Sequence, residues 1–333
     1  MKSYSIKEAP IAVRGVPGFD KTKVLTRLPD EVISKIPSLE FLGRRVPGGR
    51  ICFRTNSKKL KIELELETLS IDIGMSIYAC QSAFVFVGER TKSKFVGIVN
   101  PPGYDSKTFE NTFDMSGETE EITIFLPRNE IIKDVTIFID DESEILPPTE
   151  YKYPLPALYY GSSITEGGIC CNPASSYNAL ISRHLDLDYY NFGFSGSCKG
   201  ELEMAEYINS LDISILIYDY DHNAPDAEHL SMTHEPFFKK IREAKPLLPV
   251  VMMTRPCAHY GEDEKLRRSI VKRTYDNAIA KGDKNVYFID GEDYFKDFPD
   301  SDLCFIDTIH PTDLGFCQMA QTIEPVIREI PEK

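Results

Sequence analysis

Tryptophan is absent from all 333 residues, which removes the side chain with the largest flat face for stacking on a sugar ring. No run of 18 apolar residues occurs, so no membrane-spanning helix is expected. Met-Lys-Ser-Tyr-Ser-Ile-Lys-Glu at the start contains no apolar h-region, so no signal peptide is expected. The 8 cysteines form no Cys-x-x-Cys pair, and the adjacent Cys170-Cys171 is poor disulfide geometry. Reduced thiols in a cytoplasmic protein are therefore the expectation. Positive charge is not in excess either: 38 Lys and Arg face 52 Asp and Glu, a net charge of −14. Residues 1–150 carry 20 bases against 23 acids, and residues 151–333 carry 18 against 29. So acidic a second half speaks against nucleic acid and anionic membrane surfaces as partners. Repeats, low-complexity tracts and cofactor-binding signatures are also missing, and no cofactor is expected.

What is present falls into two halves. Residues 1–150 read as short strands punctuated by Gly, Pro and Asn. Leu60-Lys-Ile-Glu-Leu-Glu-Leu-Glu67 alternates apolar and polar residues with period two, the pattern of a strand with one wet face. Further runs begin at Arg50, Ser76, Ala83, Lys94, Glu121 and Asp134, while Pro29 to Lys35 fits one or two helical turns. This is the pattern of an all-β sandwich or jelly roll. Glu144 to Pro156 holds four prolines and reads as a stiff linker. Beyond it strands and helices alternate: strands near 157–161, 188–194, 213–219, 248–254 and 285–290, helices near 175–185, 201–210, 234–244, 262–281 and 313–328. Short apolar strands joined by helices predict an α/β fold with a parallel sheet flanked by helices. The domain expectation is thus 1–150 and 151–333.

One stretch carries chemistry. Ala157-Leu-Tyr-Tyr-Gly-Ser-Ser-Ile-Thr-Glu-Gly-Gly168 runs off the first parallel strand into a hydroxyl-bearing turn, and open α/β sheets bind ligands at that edge. A serine needs a base held by a third group. Asp307-Thr-Ile-His310 offers both, because residues three apart on a tight turn are neighbours. A plain turn is the competing reading of Gly-Ser-Ser; Asp307 and His310 tip the balance toward a nucleophile.

With these residues in view, the chain resembles the SGNH (GDSL-type) hydrolases. Gly161-Ser162-Ser163-Ile164 is similar to the first family block except that Ser162 replaces its aspartate. Asn191-Phe-Gly-Phe-Ser-Gly196 is similar to the second, Asn223 stands in a changed frame of the third, and Asp307 to His310 matches the last. The resemblance implies a flavodoxin-like strand order and a serine esterase: Ser163 as nucleophile, His310 as base, Asp307 as its orienting acid. It also implies an oxyanion hole from the backbone of Ser163, the backbone of Gly196 and the amide of Asn223. The first half is more loosely similar to the β-rich domain of some acyl and carbohydrate esterases of this superfamily. A small-molecule or oligosaccharide acyl ester, O-acetyl foremost, is the implied substrate. A lysophospholipase or thioesterase is the alternative within enzymes; a non-catalytic carbohydrate-binding protein on the same fold is the alternative outside them.

Other residues have competing readings. Ser195 is a rival nucleophile, although Ser197 breaks a G-x-S-x-G elbow. Cys171 and Cys198 lack a nearby base. Asp219-Tyr-Asp-His222 holds three ligand-type residues in four, but along an extended strand end His222 points away from the two acids, so no metal is expected. Arg255 either contacts substrate or pairs with acids such as Asp219 and Asp221. His234 and Glu235 read as helix-opening or surface residues. Tyr78 and Tyr104 are candidate substrate platforms, and the oligomeric state, a homo-oligomer included, is left open.

Overall fold

A computed structural model describes residues 1–330; the last three residues of the expected 151–333 unit lie outside the described residues. Ten strands form the first half: β1 (Lys2–Ser5), β2 (Ala12–Arg14), β3 (Arg50–Thr55), β4 (Lys59–Leu66), β5 (Ala83–Val87), β6 (Lys94–Val99), β7 (Thr108–Asp114), β8 (Glu120–Phe125), β9 (Ile132–Ile139) and β10 (Ile145–Leu146). They make two sheets, ordered β1-β9-β4-β7 and β10-β3-β8-β5-β6 with β2 beside β3. Every pairing among them is antiparallel. The period-two pattern of β4 is realised directly. Leu60, Ile62, Leu64 and Leu66 enter the core shared by both sheets, while Lys59 and Lys61 meet Asp114 and Glu110 across the strand pair, each at 2.6 Å.

Short helices interrupt this half: α1 (Phe19–Thr22), α2 (Asp30–Ile33) and α3 (Ile77–Gln81). The last corrects the strand expected from Ser76. The Ser76 hydroxyl accepts from the Ala79 amide at 3.3 Å and starts a helical turn instead.

The second half is a five-stranded parallel sheet of β11 (Ala157–Gly161), β12 (Tyr189–Gly193), β13 (Ile215–Asp219), β14 (Val250–Met253) and β15 (Val286–Ile289). Their order is β12-β11-β13-β14-β15, the flavodoxin-like arrangement. The helices are α4 (Ser163–Glu166), α5 (Tyr177–Leu185), α6 (Leu202–Asn209), α7 (Ala227–Ala244), α8 (Glu262–Ala280) and α9 (Asp313–Glu329). Successive strand residues point to opposite faces, so both faces are apolar and each has its own core. No helix among the described residues is long and apolar enough to cross a membrane.

α7 begins seven residues before the expected 234, capped by Asp226, whose carboxylate accepts from the His229 amide at 2.7 Å. His234 is therefore not a surface residue. It is buried, stacked 4.4 Å from the Tyr218 ring and hydrogen-bonded to Thr274 at 2.8 Å. Burial pushes its imidazole down to about 3, against a weaker upward pull from Glu235, so it is neutral at ordinary pH.

The halves are joined by more than a linker. Leu28, Val32, Ile33 and Leu39 belong to one core of the parallel sheet, and Phe84, Phe86 and Phe125 belong to the other. Arg90 clamps the proline segment by donating to the carbonyls of Thr149 (2.8 Å) and Glu150 (2.6 Å) and to Asp186 (2.8 Å). β12 is an edge strand, and an uncovered edge presents a row of free carbonyls. Here the row is filled: Arg50 donates to Tyr189 O at 3.2 Å, and Arg27 to Asn191 O at 2.9 Å and Gly193 O at 2.6 Å.

Candidate active site

β11 ends at Gly161, and Ser162, fully buried, caps α4: its hydroxyl accepts from the Ile164 amide at 3.2 Å. The serine that departs from the family aspartate thus still satisfies an amide of the helix start. Ser163 is the first residue of α4. α4 lies directly on β12, and only a hydrogen at position 193 allows this, because a methyl group there would overlap the Glu166 backbone nitrogen.

The partners of Ser163 come from the loop before α9. Asp307 turns that loop: its Oδ1 accepts from the backbone amides of Ile309 (3.1 Å) and His310 (2.7 Å). Thr308 sits at φ 72° within the turn. The geometry leaves Asp307 Oδ2 at 2.7 Å from His310 Nδ1, and His310 Nε2 at 2.8 Å from Ser163 Oγ. With Nδ1–H donating to the carboxylate, Nε2 is the free acceptor for the serine proton. Burial pushes the Asp307 carboxyl up, but the hydrogen bonds from His310 and Ile309 outweigh it and hold the group below the ordinary carboxylate value. The site is open, with the His310 side chain 25% exposed and that of Asp307 47%.

Gly196 follows β12 on an exposed turn at φ 67°, a left-handed conformation that costs glycine little. The Asn223 amide donates to Phe194 O at 2.8 Å, so it reaches the same loop. Ser195 is engaged elsewhere: its amide (2.9 Å) and its hydroxyl both donate to Glu166 Oε2. Among the described residues no histidine hydrogen-bonds to it, whereas His310 meets Ser163. Cys198 is buried, and burial pushes its thiol well above the ordinary value. Cys171 is also raised, chiefly by its hydrogen bond with Asp313. Neither is poised as a thiolate.

Asp219, Asp221 and His222 stay near one another, with His222 Nδ1 4.0 Å from Asp221 Oδ1 rather than turned away from it, but each is taken by a different partner. Asp219 accepts from Thr165 Oγ1 at 3.0 Å, Asp221 accepts from the Arg255 amide at 3.3 Å, and His222 Nε2 lies 2.6 Å from Arg255 Nη1. Arg255 also pairs with Glu264 at 2.6 Å. The acid that pairs with its side chain is thus Glu264 rather than Asp219 or Asp221. No three His, Cys, Asp or Glu side chains among the described residues converge as a metal-holding group.

Tyr78 (on α3) and Tyr104 are both exposed, and no hydrogen bond or ring contact among the described residues joins either to Ser163. Their half does approach the site. Gly168 donates its amide to Ser163 O at 2.7 Å, and a methyl group at Gly168 would lie 3.5 Å from Arg128 Nη1. Ile169, next in the chain, packs its Cδ1 on Gly74. Three side chains at this junction escaped the sequence reading: Arg27, Arg128 and Glu166. Glu166 lies inside the Ala157–Gly168 stretch; Arg27 and Arg128 each follow an apolar run, Val24-Leu25 and Phe125-Leu126-Pro127, and carry no motif of their own. An apolar cavity of about 680 Å³, lined among others by Leu187, Ile213, Leu248 and Ile327, lies at the opposite, N-terminal end of the strands and takes no part in this site.

Comparison with known proteins fits this arrangement. Residues 155–328 match the model of the GDSL-like lipase/acylhydrolase family. The chain belongs to that family. Residues 1–145 match a second model, the N-terminus of SGNH-hydrolase-type esterases. The class of this GDSL-like protein is therefore carboxylic ester hydrolase. No curated protein matches the chain. Solved structures share its fold over nearly the whole length. A GDSL-like lipase candidate from Bacteroides ovatus ATCC 8483 is 22% identical with a TM-score of 0.88, covering 99% of this chain and 97% of that one. The salicylyl-acyltransferase SsfX3 from a tetracycline biosynthetic pathway is 18% identical with a TM-score of 0.81, covering 100% and 99%. An acetyl xylan esterase, Est2A, from the rumen bacterium Butyrivibrio proteoclasticus is 12% identical with a TM-score of 0.61, covering 98% of each.

Proposed function

We propose that this GDSL-like hydrolase is a serine esterase that removes short acyl groups, O-acetyl foremost, from a carbohydrate, with units 1–150 and 151–333 both contributing to the site. The observation that carries the chemistry is the continuous relay from Ser163 Oγ through His310 to Asp307, at 2.8 and 2.7 Å. Ser163 attacks the ester carbonyl as His310 Nε2 takes its proton. The imidazolium is stabilised by Asp307 and returns the proton to the departing alcohol. Water then repeats the sequence on the acyl-enzyme. The backbone amides of Ser163 and Gly196 and the amide of Asn223 surround the oxyanion, each worth about 3–4 kcal/mol in comparable sites.

The openness of His310 and Asp307 suits entry of water and a small acyl group. The carbohydrate part draws on the acetyl xylan esterase among the structural neighbours. The test is direct. The wild type is labelled by a fluorophosphonate at Ser163 and hydrolyses p-nitrophenyl acetate faster than butyrate or laurate, then acetylated oligosaccharides. Ser163→Ala abolishes labelling and turnover while its circular dichroism is unchanged. Labelling mapped elsewhere removes the nucleophile; a preference for laurate favours the lysophospholipase or thioesterase reading. Inert protein that binds sugar favours the non-catalytic one.

A further inference from the structure

Two arginines of the β-rich half grip the edge strand β12, and they grip different ends. Arg50 holds its start, donating to Asp188 at 2.5 Å and Tyr189 O at 3.2 Å. Arg27 holds its end, where the chain leaves the sheet toward Gly196. Its guanidinium is fully buried and uses its fork in a single orientation. Nε donates to Arg45 O at 2.8 Å, Nη1 to Asn191 O at 2.9 Å and Gly193 O at 2.6 Å, and Nη2 to Leu42 O at 2.6 Å. Its Cζ lies 4.3 Å from the centroid of the Phe194 ring, and Nη2 faces Glu166 Oε1 at 3.8 Å. The other oxygen of Glu166 holds both the amide and the hydroxyl of Ser195. Ser195 immediately precedes Gly196, and Phe194 O is the acceptor of the Asn223 amide.

We propose that Arg27 is a positioning residue for the oxyanion loop, acting through the Asn191 and Gly193 carbonyls and through the Glu166 carboxylate that holds Ser195. The inference rests on the esterase reading above. Arg27 touches no reacting atom; it fixes the turn on which the Gly196 amide and, through Phe194, the Asn223 amide are aimed. A loop with this many converging restraints presents its donors without reorganising as charge develops on the substrate oxygen. Lysine cannot replace it, having three donors on a point charge and no plane to stack. The β-rich half is on this view part of the catalytic apparatus, with Arg27 as its contribution to rate.

The experiment compares Arg27→Lys with Arg50→Lys on p-nitrophenyl acetate. Rates are normalised to sites titrated by fluorophosphonate, and unfolding midpoints are measured in parallel. Both variants lose stability, because both disturb the same interface. Arg27→Lys is expected to lower kcat about 10- to 100-fold with KM changed by less than about twofold, a fraction of what loss of an oxyanion donor costs. Arg50→Lys is expected to keep kcat within about twofold of the wild type, a margin far below that donor loss. If Arg27→Lys fails to fold, Ser195→Ala takes its place. That change removes one of the two donors on Glu166 Oε2 and should lower kcat about 3- to 10-fold with KM steady. Equal kcat losses in the two arginine variants, or a wild-type kcat in Arg27→Lys or in the substituting Ser195→Ala, overturns the proposal while the esterase reading stands. A wild type that neither labels at Ser163 nor hydrolyses any ester removes both together.

Discussion

At the scale of single residues, the loop from Asp307 to His310 is the most self-contained part of the site. One carboxylate oxygen is consumed by the loop's own amides and the other by the imidazole. Asp307→Asn therefore has a specific expected signature. The amide oxygen can still accept from the backbone, but an NH₂ facing Nδ1 selects the wrong imidazole tautomer. Activity should fall by roughly 10³- to 10⁴-fold, as in the Ser-His-Asp template, with the unfolding midpoint nearly unchanged; a loss below tenfold would leave Asp307 without an orienting role. This loop was legible in the sequence because its partners are three residues apart. Glu166 and Arg27 were not, because what matters about them is where another segment's carbonyls and amides lie.

At the scale of elements, the strands of the parallel half follow the sequence pattern closely, whereas the short helices α1 and α4, the helix α3 and the start of α7 do not. A strand was expected at Ser76 because Ile77 and Tyr78 are strand-type residues. Local capping by Ser76 and burial of Ala79, Cys80 and Gln81 favour a helical turn instead. α7 starts at Ala227 although Pro236 lies inside it, so the helix forms despite one missing amide because its buried face, Leu230, His234, Phe237 and Ile241, packs on the parallel sheet. α4 lies tightly on β12 at Gly193, where an added methyl group would come 2.1 Å from the Glu166 nitrogen. Gly193→Ala should push α4 off the strand and with it Ser163. We expect a stability loss of about 3 kcal/mol or more and a larger proportional loss of kcat per folded molecule. Urea unfolding together with site-titrated kinetics checks both.

At the scale of the whole molecule, charge and inter-half packing dominate. Asp219 is fully buried beneath the site. Burial first, and the neighbouring Asp221 second, push its carboxyl well above the ordinary carboxylate range, and burial raises Asp221 as well. Above the unfolded value of about 4 the folded chain keeps a proton on this pair that the unfolded chain has released, so stability falls as pH rises toward the raised folded value. Asp219→Asn keeps an acceptor for Thr165 and removes the titration. Its unfolding midpoint should vary less between pH 5 and 8 than that of the wild type, and should exceed it at pH 8 by roughly 2–4 °C, about 1 kcal/mol for a chain of this size. Parallel pH dependence in both proteins would assign the effect to another group. The β-rich half lies against Gly168 and Ile169, close to Ser163. Tyr78→Ala or Tyr104→Ala should lower kcat/KM on acetylated oligosaccharide by roughly tenfold, about 1.4 kcal/mol, and p-nitrophenyl acetate hydrolysis far less. Equal behaviour on both substrates would place the sugar away from these rings.

By itself the sequence determined the two kinds of sheet, the strand positions of the parallel half, and the Asp307–His310 turn that meets Ser163. Each is written in a short-range signal: a period of two, an apolar run between turns, or a spacing of three. Only the tertiary structure decided that Ser195 belongs to Glu166, that Arg255 is committed to Glu264 and His222, and that His234 is buried. It also decided that the carbonyl row of β12 is closed by Arg27 and Arg50. Those outcomes depend on which backbone carbonyls and carboxylates are left unpaired at an edge or interface once the elements have packed. An arginine that satisfies them across more than a hundred residues leaves no periodic trace in the chain.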